Sequence, residues 1–255
     1  MAEESYAGMA ELYDALMDGV DYDRWARCLA GWIGRYYKKE GQLRVLDCAC
    51  GTGAITLRLA ALGMELTGLD LSEDMLRVAQ QKAMARGLRI PFVRMDMQRI
   101  ALHRRMDVIT CCCDGVNYLT DTRAAERFFQ SAHASLVQNG LLLFDISSRH
   151  KLEHVLGRNI LGEDRQECTY LWENMFDPKT RLLEMRLHFF VPDGPRGRYR
   201  RFDERHLQRA YTAEELTGLL QRCGFETLAV TEAFSDEPPS ETAERIQFVA
   251  RRMEA

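Results

Sequence analysis

Hydrophobic residues in the first half of the chain recur with two different spacings. Between Trp25 and Tyr36 they recur every three to four positions, which predicts an amphipathic helix with a buried aromatic face. Short apolar runs instead predict buried strands, and they read "LRVLDCA", "MELTGLDL", "RIPFVRMD", "MDVITCCC" and "LLLFDIS". Helical stretches separate these runs, as parallel strands require. The pattern predicts an α/β fold with a doubly wound parallel sheet covered on both faces.

Local signals predict where the helices begin and end. Ser72 is placed to cap a helix over residues 73–86. The Asn-Gly pair at 139–140 is expected to stop the helix that precedes the fifth strand. Thr212 and Glu215 fit a capping box that opens a later helix.

From about residue 165 the pattern changes to extended runs separated by turns. Two of them flank Asp177-Pro178 and a third is "RYRRFDERHLQRAY", which predicts an antiparallel β insert after the fifth strand. The two closing strands are "GFETLAVTEAF" and "ERIQFVARR". We therefore divide the chain into an N-terminal helical lid (1–40), a ligand-binding core (41–164), the insert (165–211) and a C-terminal segment that completes the core (212–255).

Composition narrows the function classes. The formal net charge is -4, so nothing in the charge balance favours a nucleic-acid partner. The acidic start of the chain resembles no targeting signal and no apolar run is long enough to cross a bilayer, so we expect a soluble cytoplasmic protein without a membrane partner. Five of the eight cysteines lie in "CAC" and "CCC" and none forms a CxxC pair. We predict reduced cysteines that pack as small apolar residues, and no metal site.

The turn "DCACGTG" at residues 47–53 follows the first predicted strand, where doubly wound sheets bind ligands. Gly51 and Gly53 let a ligand approach the backbone, and the N–H groups at the next helix start favour a polar or negative group. Asp70 ends the second strand, where it can accept hydrogen bonds from both hydroxyls of a ribose, and Asp96 ends the third, within reach of an adenine amine. These features describe an adenosine-shaped site with a polar tail.

Two residues argue against a dinucleotide in this site. A dinucleotide fold needs a third small residue after the glycines, and that position is Thr56. Asp47 would repel a pyrophosphate, whereas it would attract the ammonium group of an amino acid.

These residues resemble the class I S-adenosylmethionine-dependent methyltransferases over most of the chain. The matching motifs are "VLDCACGTG", in which Ala49 replaces the commonest first glycine, "LTGLDLSEDML" and "FVRMDMQ". The resemblance implies a Rossmann-like, seven-stranded sheet whose last strand, "ERIQFVARR", is antiparallel.

The resemblance also implies S-adenosylmethionine as the cofactor. It assigns the ribose to Asp70 and the adenine amine to Asp96, with Leu71 and Met97 flanking the ring. The predicted cofactor-binding residues are Asp47, Ala49, Gly51, Gly53, Asp70, Leu71, Met75, Asp96, Met97 and Cys113.

The stretch after the fourth strand, "CCCDGVNYL", lacks the Asn-Pro-Pro-Tyr-like motif of enzymes that methylate amines of nucleic-acid bases. No cysteine follows a proline, as cytosine-C5 methylation would require. The insert and the N-terminal "ELYDALM" are instead similar to small-molecule N- and O-methyltransferases, including nucleotide-sugar amine methyltransferases, in which these segments roof the acceptor. We expect in-line methyl transfer to a nitrogen or oxygen of a small molecule.

Six residues are candidates for binding the acceptor or for catalysing its methylation. Asp114 could equally be a loop acid, and His206 a structural histidine of the insert. The arginine-rich stretch 196–209 is either a solvated strand face or a site for an anionic acceptor. The predicted catalytic residues are Tyr13, Asp114 and His206, and the predicted acceptor-binding residues are Asn117, Tyr118 and Arg209.

Two other functions stay open at this point. A tRNA or protein methyltransferase would need a broad groove with basic walls. A protein that binds the cofactor without transferring the methyl group would lack a closed acceptor chamber. The sequence does not identify the acceptor or the oligomeric state.

Overall fold

The computed structural model describes residues 9–194 and 197–254, which form two β-sheets and the helices around them. The larger sheet has seven strands. They are β1 (Arg44–Cys48), β2 (Glu65–Asp70), β3 (Phe92–Arg94), β4 (Met106–Cys111), β5 (Leu136–Ser147), β10 (Phe225–Glu232) and β11 (Arg245–Arg252). The smaller sheet contains β6 (Ile160–Asp164), β7 (Thr169–Asp177), β8 (Leu182–Pro192) and β9 (Tyr199–Arg209).

The order of the large sheet is β10-β11-β5-β4-β1-β2-β3. β1 pairs in parallel with both β2 and β4, and only β11 runs antiparallel to its neighbours β5 and β10. The predicted fold, a seven-stranded doubly wound sheet with its last strand antiparallel, is therefore confirmed. Strand order reverses between β1 and β4, and a ligand crevice is expected beyond the carboxyl ends of these strands.

Helices cover both faces of this sheet. They are α2 (Tyr22–Tyr36), α3 (Ala54–Ala61), α4 (Glu73–Ala85), α5 (Thr122–Ser135) and α6 (Ala213–Arg222), whereas the short α1 (Tyr13–Leu16) packs with Phe189 of the smaller sheet. Val45 of β1 packs in a cluster with Trp25 and Trp32 of α2, whereas the next residue, Leu46, packs in a second cluster with Phe128 of α5. The alternation of β1 side chains thus separates the core into two layers.

The predicted N-caps form, although the Glu215 carboxylate is paired with Arg181 and Arg209. The Ser72 hydroxyl accepts a hydrogen bond from the Met75 amide, and Thr212 accepts one from the Glu215 amide. Among the described residues, no helix has the length and apolar composition that a bilayer crossing requires. Of the five cysteines in the two strand motifs, Cys48, Cys111 and Cys112 are buried as predicted, whereas Cys50 and Cys113 are only partly buried.

The prediction that 139–140 stops a helix is wrong. α5 already ends at Ser135, and β5 continues through the Asn-Gly pair. Asn139 is left-handed there, with φ of 59°, beside the irregularity at which the pairing of β4 with β5 shifts register. A Cβ on Gly140 would lie 3.0 Å from the Asp107 carbonyl oxygen, so the turn signal belongs to a bulge within the strand.

The smaller sheet is an antiparallel meander in the order β6-β7-β8-β9. The sequence pattern predicted its last three strands but missed β6, whose residues are all exposed and carry no apolar alternation. The inner face of the sheet contributes Phe176, Leu183 and Met185 to a small core with Leu152. This packing fixes the insert against the segment that follows β5, so the edge strand β9 lies near the end of β4.

Candidate functional site

A cavity of about 560 Å³ lies between the carboxyl ends of β1, β2 and β4 and the β9 edge of the smaller sheet. Its floor includes Asp47, Asp70 and Asp96, which lie at or next to the carboxyl ends of three neighbouring strands. Its roof includes Tyr118 and Leu207. The cavity volume is in the range that proteins use for small organic ligands.

The turn after β1 is a series of left-handed residues. Ala49, Gly51 and Gly53 have φ of 53°, 53° and 74°. A Cβ on Gly53 would lie 3.1 Å from the Ala79 Cβ, so this position needs glycine for packing as well as for conformation. A Cβ on Gly51 would meet nothing within 4 Å, because the Gly51 backbone faces the cavity. A ligand can therefore reach the main chain at Gly51.

Asp70 joins the end of β2 to this turn. One carboxylate oxygen accepts the Gly51 amide at 2.8 Å, and the other accepts the Ser72 amide at 2.9 Å. Burial raises the pKa of Asp70 although these amide hydrogen bonds oppose the shift. An ionised carboxylate can accept about four hydrogen bonds, so Asp70 keeps capacity for a ribose hydroxyl beside these amides.

Asp47 is the most enclosed of the three acids, with 2% of its surface exposed. The Thr56 hydroxyl donates to one oxygen at 2.5 Å and the Thr110 hydroxyl donates to the other at 2.8 Å. Burial raises the pKa of Asp47 to about 6. A cation beside Asp47 would offset the cost of its buried charge, which suits an ammonium group better than a phosphate.

Asp96 caps the short turn over Met97–Arg99, where one carboxylate oxygen accepts the Gln98 amide at 2.9 Å. The cavity brings together nine of the ten predicted cofactor-binding residues; Gly53 lies behind the others, at the start of α3. Besides the three acids, the nine are Ala49, Gly51, Leu71, Met75, Met97 and Cys113. Their contacts with a cofactor stay predictions.

Comparison with known proteins identifies the family. A family model described as a methyltransferase domain matches residues 45–140. A protein of Geobacillus sp. (strain WCH70) that is named as a methyltransferase is 37% identical over 248 residues, which are 97% of this chain and all of that protein. An S-adenosylmethionine-dependent methyltransferase from Clostridium acetobutylicum ATCC 824 is 32% identical, with a TM-score of 0.86 over 98% of this chain and 99% of that one. The chain belongs to the S-adenosylmethionine-dependent methyltransferases.

A more distant structure has the same fold. The sugar N-methyltransferase KedS8 from Streptoalloteichus sp ATCC 53650 is 23% identical, with a TM-score of 0.76, and the match covers 95% of this chain and 93% of that one. At this identity the likeness concerns the fold alone.

The residues at the floor of the cavity fit S-adenosylmethionine. Carboxylates at three strand ends give this methyltransferase an acidic binding surface, which favours the cofactor's sulfonium and ammonium charges. The open space above the Gly51 backbone leaves room for its amino-acid part. The predicted family and cofactor are both confirmed by the comparisons.

Among the described residues, three tyrosines line the cavity. Tyr13, Tyr22 and Tyr118 all line it. Burial raises the pKa of both Tyr13 and Tyr22, so these phenols are neutral. Tyr118 Oη lies 3.3 Å from Nδ1 of His206, whose side chain is buried behind the cavity wall. Burial lowers the pKa of His206 to about 4, so its imidazole is neutral at physiological pH.

The structure places Asp114 outside the cavity lining. Its carboxylate contacts Arg245 Nη2 at 2.8 Å and accepts a hydrogen bond from Gln208 Nε2 at 2.6 Å. The amides of Cys113 and Asp114 both donate to the buried Asp145 carboxylate, which is also paired with Arg245. Cys113 and Asp114 are left-handed, with φ of 54° and 57°. The carboxylate of Asp114 thus holds the loop after β4 and does not line the cavity.

Asn117 and Arg209 also lie away from the cavity lining. Asn117 is fully buried and donates to the carbonyls of Ser147 and Arg209, while its side-chain oxygen accepts the Ser147 amide at 2.9 Å. The Arg209 guanidinium is paired with Glu215 at 3.1 Å. Both side chains join the insert to the core, so their predicted acceptor contacts are not supported by the geometry.

Several cavity residues were not among the predicted site residues, although Arg205 belongs to the arginine-rich stretch that was considered for an anionic acceptor. Tyr22 belongs to α2, and Glu204 and Leu207 belong to β9. Arg186 and Arg205 lie opposite each other on β8 and β9, and both donate to one oxygen of Glu184. The alternation within the β9 stretch could have indicated which of its side chains share a face, but not which face meets the cavity. Arg196 of the same stretch lies outside the described residues.

Proposed function

We propose that this methyltransferase acts on a small molecule that carries a nitrogen or oxygen nucleophile. The observation that carries the proposal is one continuous cavity, which extends from Asp70 and Asp96 on the core to Tyr118 and Leu207 under the insert. A cofactor and a small acceptor can bind side by side in this cavity, shielded from solvent by the insert. A tRNA or a protein substrate would need an open groove.

Bound S-adenosylmethionine supplies an activated methyl group on a positively charged sulfur. In-line displacement moves that methyl to the acceptor's lone pair, and the electron pair of the broken bond stays on sulfur. The protein's part is to align the two molecules and to exclude competing water. The phenols of Tyr13, Tyr22 and Tyr118 support this role because they are partly buried and able to hydrogen-bond.

The candidate residues divide into two groups. We propose direct acceptor contacts for Tyr13 and Tyr118, which line the cavity, and an indirect role for His206, which touches Tyr118. The proposed role of Asp114 is to hold the loop of Cys113 through Arg245. Two guanidinium groups in the roof, those of Arg186 and Arg205, also support an acceptor with an anionic substituent.

A label-transfer experiment tests the proposal. The protein is incubated with methyl-tritiated S-adenosylmethionine and, separately, with the small-molecule, tRNA and protein fractions of a bacterial extract. We expect label in the small-molecule fraction alone. Label in tRNA or protein would contradict the proposed acceptor class, and binding of S-adenosylhomocysteine without any transfer would contradict the enzyme activity itself.

A further inference from the structure

Helix α5 contacts a glutamine that lies beside the predicted position of the adenine. Gln98 follows Asp96 by two residues in the short turn over Met97–Arg99, and both side chains belong to residues that line the cavity. Arg127, which is exposed on α5, donates to Gln98 Oε1 from Nε at 3.0 Å and from Nη2 at 2.7 Å. Gln98 thus connects a surface arginine with the cavity.

The contact with Arg127 determines which end of the Gln98 amide each neighbour meets. A guanidinium group only donates hydrogen bonds, so the amide oxygen must face Arg127, and its two lone pairs match the two donated hydrogens. The Nε2 amino group then faces the other way and donates to Asp96 Oδ2 at 3.4 Å. The opposite orientation of the amide would set donors against each other at Arg127.

Asp96 and Gln98 therefore present an acceptor and a donor side by side. Asp96 Oδ1 accepts the Gln98 main-chain amide and Oδ2 faces Gln98 Nε2, so donors approach both oxygens of this carboxyl group. Nε2 carries two hydrogens, and its contacts within the described part of the chain use one of them. The other hydrogen can be donated to a ligand in the cavity.

Adenine carries the complementary pair of groups. Its amine donates hydrogen bonds, and the ring nitrogens on either side of the amine, N1 and N7, accept them. A base with a carbonyl oxygen in place of the amine would set an acceptor against Asp96. The pairing of Asp96 with Gln98 thus matches an adenine edge better than the edge of a 6-oxo purine.

We propose that Gln98 is a specificity-determining residue for the adenine of S-adenosylmethionine. In this account Nε2 donates to N1 or N7, next to the amine that Asp96 accepts, and Arg127 is the positioning residue that orients the Gln98 amide. The inference goes beyond the proposed function, because it concerns the cofactor and not the acceptor. It relies on the predicted adenine position beside Asp96.

Calorimetric titration of the full chain tests the contact with three ligands. They are S-adenosylhomocysteine and its 1-deaza and 7-deaza analogues, each of which lacks one of the two ring nitrogens. We expect Gln98→Ala to weaken S-adenosylhomocysteine binding by about three- to tenfold, the effect of one hydrogen bond. The analogue without the contacted nitrogen should bind to the wild type and to Gln98→Ala with affinities within about twofold of each other. Equal losses for all three ligands, or no loss for S-adenosylhomocysteine, would overturn the inference.

Substitutions at Arg127 test the orientation of the amide. Arg127→Glu replaces the donors by a carboxylate, which attracts the amino group of Gln98 and turns Oε1 toward the cavity, so the affinity should fall at least as far as in Gln98→Ala. Arg127→Lys still donates and should stay within about twofold of the wild type. Arg123→Glu makes the same charge change at an exposed position one turn earlier on α5, and this matched control should leave the affinity unchanged. Unchanged affinity in Arg127→Glu, or equal losses in Arg127→Glu and Arg123→Glu, would overturn the role of Arg127.

The titrations and the label-transfer experiment fail independently. Label in tRNA or protein would refute the proposed acceptor class and leave the titration result intact, because no acceptor is present in the titration. A wild-type protein that binds S-adenosylhomocysteine with its adenine away from Asp96 would overturn the inference, whichever fraction is labelled.

Discussion

The cavity has a cofactor half, which Asp70 and Asp96 line, and an acceptor half, which Tyr118 and Leu207 line. The contacts that build these halves differ in how far apart their residues lie in the sequence. In the cofactor half, Asp70 and Asp96 each accept an amide hydrogen bond from the residue two positions further along the chain. In the acceptor half, Tyr118 reaches His206 over 88 positions, and behind the lining Asp114 ties the loop after β4 to Gln208 over 94. The first half combines such local contacts with pairing inside the large sheet, where Thr110 reaches Asp47 over 63 positions, whereas the second exists only after the insert has packed on the core.

The two halves also differ in how their left-handed turns are held. The turn after β1 uses glycine at two of its three left-handed positions. The turn after β4 places Cys113 and Asp114 in that conformation, and both amides are held by the buried carboxylate of Asp145. The acceptor-side turn therefore depends on an ionic contact with Arg245, which comes from the other end of the chain.

The largest expected effect comes from removing that contact. Arg245→Ala leaves the Asp145 carboxylate, which is 0% exposed, without its cation, and should lower the free energy of unfolding by about 3–5 kcal/mol. Urea denaturation measures the change. Arg251→Ala on the same strand breaks a more exposed pair with Glu226 and should cost at most about 1 kcal/mol. Equal losses in the two variants would show that the turn after β4 does not depend on Arg245.

The next effect is a pH dependence of the free energy of unfolding that arises in the cofactor half. Burial raises the pKa of Asp47 from 3.8 to about 6 in the folded protein, so the folded state holds this proton more tightly than the unfolded chain. The resulting stabilisation is complete below about pH 4 and is lost as the pH rises through about 6, by about 3 kcal/mol. Denaturation of the wild type and of Asp47→Asn between pH 4 and pH 7 measures it. If the difference in free energy of unfolding between the wild type and Asp47→Asn stays constant over this range, the account of Asp47 as a buried, titrating carboxylate is contradicted.

Asp70 tests the cofactor half by itself. Asp70→Ala removes the proposed ribose acceptor and should weaken S-adenosylhomocysteine binding by about 1–3 kcal/mol, as measured by calorimetric titration. Glu65→Ala, at the exposed opposite end of β2, should leave the affinity unchanged. The same affinity in Asp70→Ala and in the wild type would remove the ribose assignment.

The smallest effect concerns Ala49, which is the non-glycine residue among the three left-handed positions of the turn after β1. Ala49 has φ of 53°, so Ala49→Gly should relieve strain and raise the free energy of unfolding by up to about 1 kcal/mol. Ala54→Gly, the same substitution in the right-handed first turn of α3, should lower it by about 1 kcal/mol. Thermal unfolding of both variants shows whether the free energy of unfolding rises in the first and falls in the second. A destabilised Ala49→Gly would mean that the Ala49 methyl contributes more by packing than its conformation costs.

The difference between the halves explains what could be predicted from sequence. Strand tips, glycine turns and helix caps are local, so the sheet, the cofactor and the positions of Asp47, Asp70 and Asp96 in one cavity followed from short segments. Asn117 was predicted to bind the acceptor because its loop follows β4. Its actual partners, the backbones of Ser147 and Arg209, lie 30 and 92 positions away and leave no local signal.

The same reasoning applies to the insert. Its alternation predicted β7, β8 and β9, but which face of β9 covers the cavity depends on packing against Leu152 and the loop after β4. Glu204 and Leu207 were therefore missed, although both belong to a stretch that was predicted as extended.

The most direct test of the central claim is a crystal structure of the protein with bound S-adenosylhomocysteine. We expect the ribose hydroxyls to contact the Asp70 carboxylate, the adenine amine to lie beside Asp96, and the sulfur to face the side of the cavity that Tyr118 lines. A ligand bound elsewhere, or one whose sulfur points away from the insert, would contradict the account.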